Sequence, residues 1–137
     1  MTETTEITVT IPALSRFVAL VRVTAASLAS ELDFTVDEIA DVRVGADELT
    51  SLLIEWAEDH SRPSISLRFQ LADACLELEG TVSPADSPSG SEGVGAEPVG
   101  DGIPGLDEIT EQILAAVVDS HHIRAGSGRI VKRRSAS

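Results

Sequence analysis

Aromatic side chains are scarce in this chain: Phe17, Phe34, Phe69 and Trp56 are all it has, and tyrosine is absent. A core made without them is aliphatic, built from Val, Ile, Leu and Ala, each contributing modestly through the apolar area it withdraws from water. Cysteine occurs once, at Cys75, which excludes an intramolecular disulfide and suits a reducing compartment. No run approaches the ~18 consecutive apolar residues of a membrane-spanning helix. The opening MTETTEITVTIP has neither the basic start nor the apolar stretch of a secretory leader. The expectation is a soluble cytoplasmic protein with no membrane partner. Positive charge is also short: ten Lys and Arg stand against 23 Asp and Glu, for a net charge of −13. Such a surface repels the phosphates of nucleic acids, so no nucleic-acid partner is expected. The shortage is uneven, because Arg124, Arg129, Lys132, Arg133 and Arg134 all follow Ile123. That basic end reads either as a solvated terminus or as a contact for a phosphate or an acidic partner.

What is present patterns well. A length of 137 residues accommodates one domain with one modest core. The domain is expected over 1–134, with 135–137 frayed. Ile7, Val9 and Ile11 alternate with polar residues, the mark of a half-buried strand that Pro12 ends. Leu14, Phe17, Val18, Val21, Ala25, Leu28 and Leu32 recur at helical spacing and predict a first helix from about Ala13 to Glu31. A second helix has the clearest start signal. Thr35 can cap it, Glu38 stands at the capping-box position, and Phe34 can staple onto Ile39. Its apolar stripe is Val36, Ile39, Val42, Ala46, Leu49, Leu53 and Trp56, widened by Leu52, and it should stop by about Asp59, ahead of Arg62-Pro63.

Two more alternating stretches follow, with Ile65, Leu67 and Phe69 inward in the first and Leu76 and Leu78 inward in the second, over Ala74 to Val82. Leu71-Ala72-Asp73 is the expected turn of this hairpin. From Ser83 to Pro104 the composition turns to Gly, Pro and Ser, too poor in apolar surface to order itself cheaply, and predicts a long loop or lid. A third helix is expected from about Leu106 to Val118, with Leu106, Ile109, Ile113, Ala116 and Val117 as its stripe and Asp107, Glu108 and Glu111 in its first turns. Two short strands around Gly126-Ser127-Gly128 close the chain. The order β-α-α-β-β-loop-α-β-β predicts an α/β two-layer sandwich, a mostly antiparallel mixed sheet against three helices.

Chemistry-bearing motifs are few. His60, His121 and His122 have no companion CxxC or HExxH, and adjacent histidines on a strand point to opposite faces, so no metal site is expected. Cys75 has no recognisable relay, and no serine stands in a GxSxG context. Gly102 and Gly105, with the loop glycines before them, read as sources of loop flexibility or as backbone N–H donors to phosphates at the start of the third helix. They lack the spacing and lysine of a P-loop, and Asp101, Asp107 and Glu108 crowd the same place with negative charge.

The stretch Asp41 to Ile54, DVRVGADELTSLLI, resembles the segment "DIRLAVDEACTNAI" of the anti-sigma serine kinases of the RsbW/SpoIIAB type. Element order and motifs over nearly the whole chain are similar to the GHKL fold of those proteins, the histidine-kinase/Hsp90-like ATPase fold. The resemblance places Glu48 on the glutamate that prepares the attacking hydroxyl, making it the candidate catalytic and nucleotide-site residue. Gly105-Leu106 looks like the phosphate-side "GxGL" motif, Asp101-Gly102 has the composition of the adenine-side motif but comes late, Asp119 looks like the aspartate closing the third helix, and Gly126 to Val131 looks like the closing hairpin. The candidate cofactor-binding set is therefore Glu48, Asp101, Gly102, Gly105 and Leu106. Two departures stand out. Leu52 occupies the position of the Mg²⁺-holding asparagine and offers no oxygen. No aspartate stands in place after the second hairpin strand, which ends Glu79-Gly80-Thr81-Val82-Ser83; Asp86 is nearby but in the wrong company. The resemblance thus implies either a binding regulator with a degenerate ATP site or an active ATP- and Mg²⁺-dependent protein serine kinase. Its partners would be a sigma factor or an anti-anti-sigma protein, and the chain would pair as a homodimer.

Overall fold

A computed structural model describes residues 4–84 and 108–135. Strand β1 spans Thr5–Pro12, helix α1 Val18–Glu31, helix α2 Val36–Asp59, strand β2 Ser64–Ala72, strand β3 Cys75–Val82, helix α3 Glu108–Val117, strand β4 Ser120–Arg124 and strand β5 Ser127–Arg133. The strands form one five-stranded sheet in the order β1-β2-β3-β5-β4, and all four pairings are antiparallel. The helices pack on one side, giving an α/β two-layer sandwich.

The strands alternate as their sequences require. Ile65, Leu67 and Phe69 of β2 are fully buried, and Leu76, Leu78 and Val82 of β3 join them beneath the helices. The opposite face is polar and laced by cross-strand pairs: Thr10 with Ser66, Arg68 with Glu79, Arg129 with Glu77. The β2–β3 turn is Asp73-Ala74, between the Ala72–Cys75 pair, with Ala74 at φ 54°. This lies one residue later than Leu71-Ala72-Asp73, because Leu71 and Ala72 still pair in the ladder.

Helix α2 is held at its start as its sequence announces. The Glu38 N–H donates to Thr35 Oγ1 at 3.1 Å and the Thr35 N–H donates to Glu38 Oε1 at 2.8 Å, a complete capping box. Phe34 is buried and Ile39 packs on the core, as a staple requires. The other carboxylate oxygen of Glu38 accepts the Ser135 N–H at 2.6 Å, so residue 135 is fastened to the head of α2. These backbone donors hold the Glu38 carboxyl down from 4.5 to about 2, Thr35 foremost. Along its length α2 lies very close to the sheet. A Cβ on Gly80 would stand 2.4 Å from Leu53 Cδ1, and one on Gly128 would stand 2.6 Å from Leu49 Cδ1.

Several boundaries and faces differ from the sequence reading. The first helix begins at Val18 after a 3-10 turn over Ser15–Phe17, and Leu14 is exposed before it. Its buried set is Val18, Val21, Ala25 and Ala29, with Leu28 only half-buried, so the face turns toward the small residues that let α1 and α2 approach. Val36 is exposed, since the first turn of α2 projects beyond the core edge. In α3 the fully buried residue is Leu114, followed by Val118, while Ile109 and Ala116 face out. The helix is rotated by about one position from the expected stripe, which places Val117 and Val118 against Gly45 of α2. The expected loop from Ser83 to Pro104 lies almost wholly outside the described residues.

Candidate functional site

The middle of α2 is where the sequence concentrates its candidates. The Asp47-Glu48 pair is divided by helix geometry, since neighbours on a helix diverge by about 100°. Asp47 turns toward α1, where its Oδ1 receives the Arg22 Nε–H at 2.9 Å. Both side chains are about one-third exposed, so this bridge ties α1 to α2 with a modest contribution, on the order of 1 kcal/mol or less. Glu48 is half-buried on α2 and has an interaction partner of its own. One turn further on, Leu52 is buried. An oxygen-seeking cation such as Mg²⁺ finds no ligand in that side chain.

The end of β3 is the second place where the resemblance requires a specific group. The chain there offers Thr81, Val82 and Ser83 and no carboxylate. Ser83 is already engaged: its Oγ accepts the Ser64 N–H at 3.2 Å, its carbonyl accepts from Arg62 at 2.9 Å, and its N–H donates to the Ser64 carbonyl. Among the described residues, Leu52 and the end of β3 therefore do not supply the Mg²⁺ and adenine contacts that the resembled fold implies. Asp101, Gly102, Gly105 and Leu106, the remaining candidates, lie outside the described residues, as does Asp86.

Asp119 follows α3 as expected and has a structural task. Its Oδ2 accepts the Arg133 N–H at 2.6 Å and its own N–H donates to the Val131 carbonyl, which locks the α3–β4 corner onto β5. His121 and His122 do point to opposite faces of β4. His121 is partly buried and bonds Glu111 of α3 at 2.9 Å, while His122 faces out. His60 stacks on Trp56 with ring centroids 3.7 Å apart, and its Nδ1 lies 2.8 Å from the Trp56 carbonyl at the end of α2. Among the described residues no three His, Cys, Asp or Glu side chains gather into a metal-holding group. Burial pushes the Cys75 thiol up, the opposite of what a nucleophile needs.

Lys132 was not legible as a site residue. Its Nζ donates to Asp41 at 3.1 Å and to the Val117 carbonyl at 2.9 Å, so one partly buried ammonium joins β5, α2 and the end of α3. Its place in an alternating strand, facing the helices among otherwise apolar inward residues, is the signal that marks it.

No protein-family model matches the chain. Among curated proteins it is similar to the serine-protein kinase RsbW of Halalkalibacterium halodurans, 32% identical over 72 residues, which is 53% of this chain and 44% of that one. It is also similar to the serine-protein kinase RsbW of Bacillus velezensis, 30% identical over 69 residues, 50% of this chain and 43% of that one. The chain thus spans less than half the length of the curated relatives it matches. It is a distant relative of RsbW-type proteins. Among the described residues no helix is long and apolar enough to cross a membrane.

Proposed function

We propose that this chain is an anti-sigma-like regulator of the GHKL fold that acts by protein–protein binding, its nucleotide site degenerate. The observation that carries this reading is Leu52. It stands one turn after Glu48 and is buried, at the position to which the resemblance assigns an amide oxygen for Mg²⁺. Phosphoryl transfer depends on the cation and on positioning far more than on a single carboxylate. A half-buried Glu48 without a metal ligand beside it accomplishes little chemistry. The retained function is then contact with a sigma factor or an anti-anti-sigma protein, made by a homodimer.

The retention of Glu48 itself favours a second reading, an active serine kinase in which that carboxylate prepares the hydroxyl of an anti-anti-sigma partner. Calorimetric titration with ATP and Mg²⁺ separates the two, run beside a pull-down with sigma factors and their antagonists from the same genome. The binding regulator captures a partner without nucleotide and takes up ATP no better than millimolar. Micromolar, Mg²⁺-dependent ATP binding, together with phosphate transfer that Glu48→Ala abolishes, would establish the kinase and sink the degenerate site.

A further inference from the structure

The outer face of the sheet, away from the helices and from α2, carries a groove of about 390 Å³ lined by Glu79, His122, Arg124, Ser127, Gly128 and Arg129. Strand register explains it. Arg129 stands opposite His122 on β4 and Glu79 on β3, and Ser127 stands opposite Arg124 and Thr81 in the next row. The strand period of two brings His122 and Arg124 to the same face, so both flank the Arg129 row. Gly128 between Ser127 and Arg129 turns inward, which leaves only backbone as the floor.

Charge makes the groove unusual for this molecule. The chain as a whole carries −13, yet half its cations follow Ile123, and Arg124, Arg129 and Arg133 fall on this one outer face. The nearby acids, one of which, Glu79, lines the groove, are each already paired with an arginine. Glu79 is paired with Arg68, and Glu77 reaches Arg129 at 3.3 Å from outside the groove. Among the described residues Arg124 has no ion-pair partner, and it is exposed at the sheet edge. Arg124 and Arg129 stand in neighbouring rows of the β4–β5 pair, diagonal to one another, so one extended anionic segment can reach both. Guanidinium forks are the side chains best shaped to grip carboxylates two oxygens at a time.

We infer that this groove docks an extended acidic segment of a partner protein, its carboxylates held by Arg124 and Arg129 with Ser127 and His122 alongside. The site lies on the face opposite α2 and so is independent of whether a nucleotide binds there. The charge complementarity that selects an acidic segment also rejects the basic partners that the rest of the surface would attract.

The test uses the full chain and a fluorescein-labelled hexaglutamate peptide, read by anisotropy at low and at physiological salt. Binding should be in the micromolar range and weaken at least tenfold in Arg124→Glu, and at least fivefold in Arg124→Gln. A hexalysine peptide should not respond to either change. Circular dichroism confirms that the exposed substitution leaves the fold intact. Binding unaltered by both variants, or no hexaglutamate binding at millimolar peptide, overturns the proposal. Competition by inorganic phosphate as effective as the peptide overturns it in favour of a phosphate site. Sedimentation showing low-salt self-association that Arg124→Glu dissolves overturns it in favour of a second copy of this chain as occupant.

Discussion

Thr50 is the one place where α2 contradicts its surroundings, and replacing it with valine tests the energetics of the helix layer. Its side chain is fully buried, and its Oγ1 has no hydrogen-bond partner among the described residues. It sits on α2 with Leu49, Leu53 and Ile54, all apolar and buried. A hydroxyl stripped of water with nothing in exchange costs about 1–3 kcal/mol. Thr50→Val keeps the branched shape and volume and substitutes a methyl for the oxygen. Helix propensities of the two residues are nearly equal, so the backbone term cancels. The variant should therefore gain about 1–2 kcal/mol, which for a chain of this size raises Tm by roughly 3–6 °C. Urea denaturation followed by far-UV circular dichroism reads it as a shift in midpoint with the slope unchanged. Thr50→Ser is the companion: it keeps the hydroxyl, loses the methyl and should fall below wild type by about 1 kcal/mol. A valine variant less stable than wild type by 0.5 kcal/mol or so would refute the reasoning, because it would mean the hydroxyl has found a water or a carbonyl.

Other consequences are as direct. Glu38 is held at about 2 in the folded protein against 4.5 otherwise, so its stabilisation is full above pH 4.5 and is lost as pH falls toward and through 2. Glu38→Gln should be less stable than wild type at pH 7 and should converge with it near pH 2, as measured by urea midpoints across that range. Gly80→Ala sets a methyl 2.4 Å from the buried Leu53 Cδ1 and should cost about 1–3 kcal/mol, visible as a lowered thermal midpoint. Leu53→Ala in the same background should recover part of that loss, giving a non-additive double-mutant cycle.

The architecture was legible because its signals are local. Alternation marked β1, β2 and β3, and the Phe34-Thr35-Glu38 start placed the head of α2 to the residue. What the sequence hid is which side of a helix faces its neighbours when small residues form the contact. In α1 the buried set takes in Ala29, weak in any apolar pattern, while the expected Leu28 stays half-buried and Leu14 exposed. In α3 the pattern offered Ile109, Ile113, Ala116 and Val117, but the buried positions are Leu114 and Val118, and Val117 and Val118 lie against Gly45, some seventy positions away in the chain. The candidate site was readable only in part. Asp47 and Glu48 stood out together, yet only tertiary packing shows that Asp47 belongs to Arg22. Of the outer groove the sequence showed only the cations of the basic end; the lining residues meet through the β3–β5 and β4–β5 registers and are dispersed along the sequence.

The strand order has a consequence for how the protein comes into being. The last described strand is not at the border of the sheet but inside it, between β3 and β4. Until β5 is synthesised, β3 has a bare edge that nothing earlier in the described chain can cover, and the Glu77–Arg129 contact must close across 52 positions. Long-range closures of this kind are slow, and an unpaired strand edge invites other chains while it waits. A nascent chain that stalls before Ser127 would present β3 as a template for misassembly. Closure of the described sheet waits on the segment from Ser127 to Arg133 inserting between β3 and β4 and on Ser135 fastening onto Glu38.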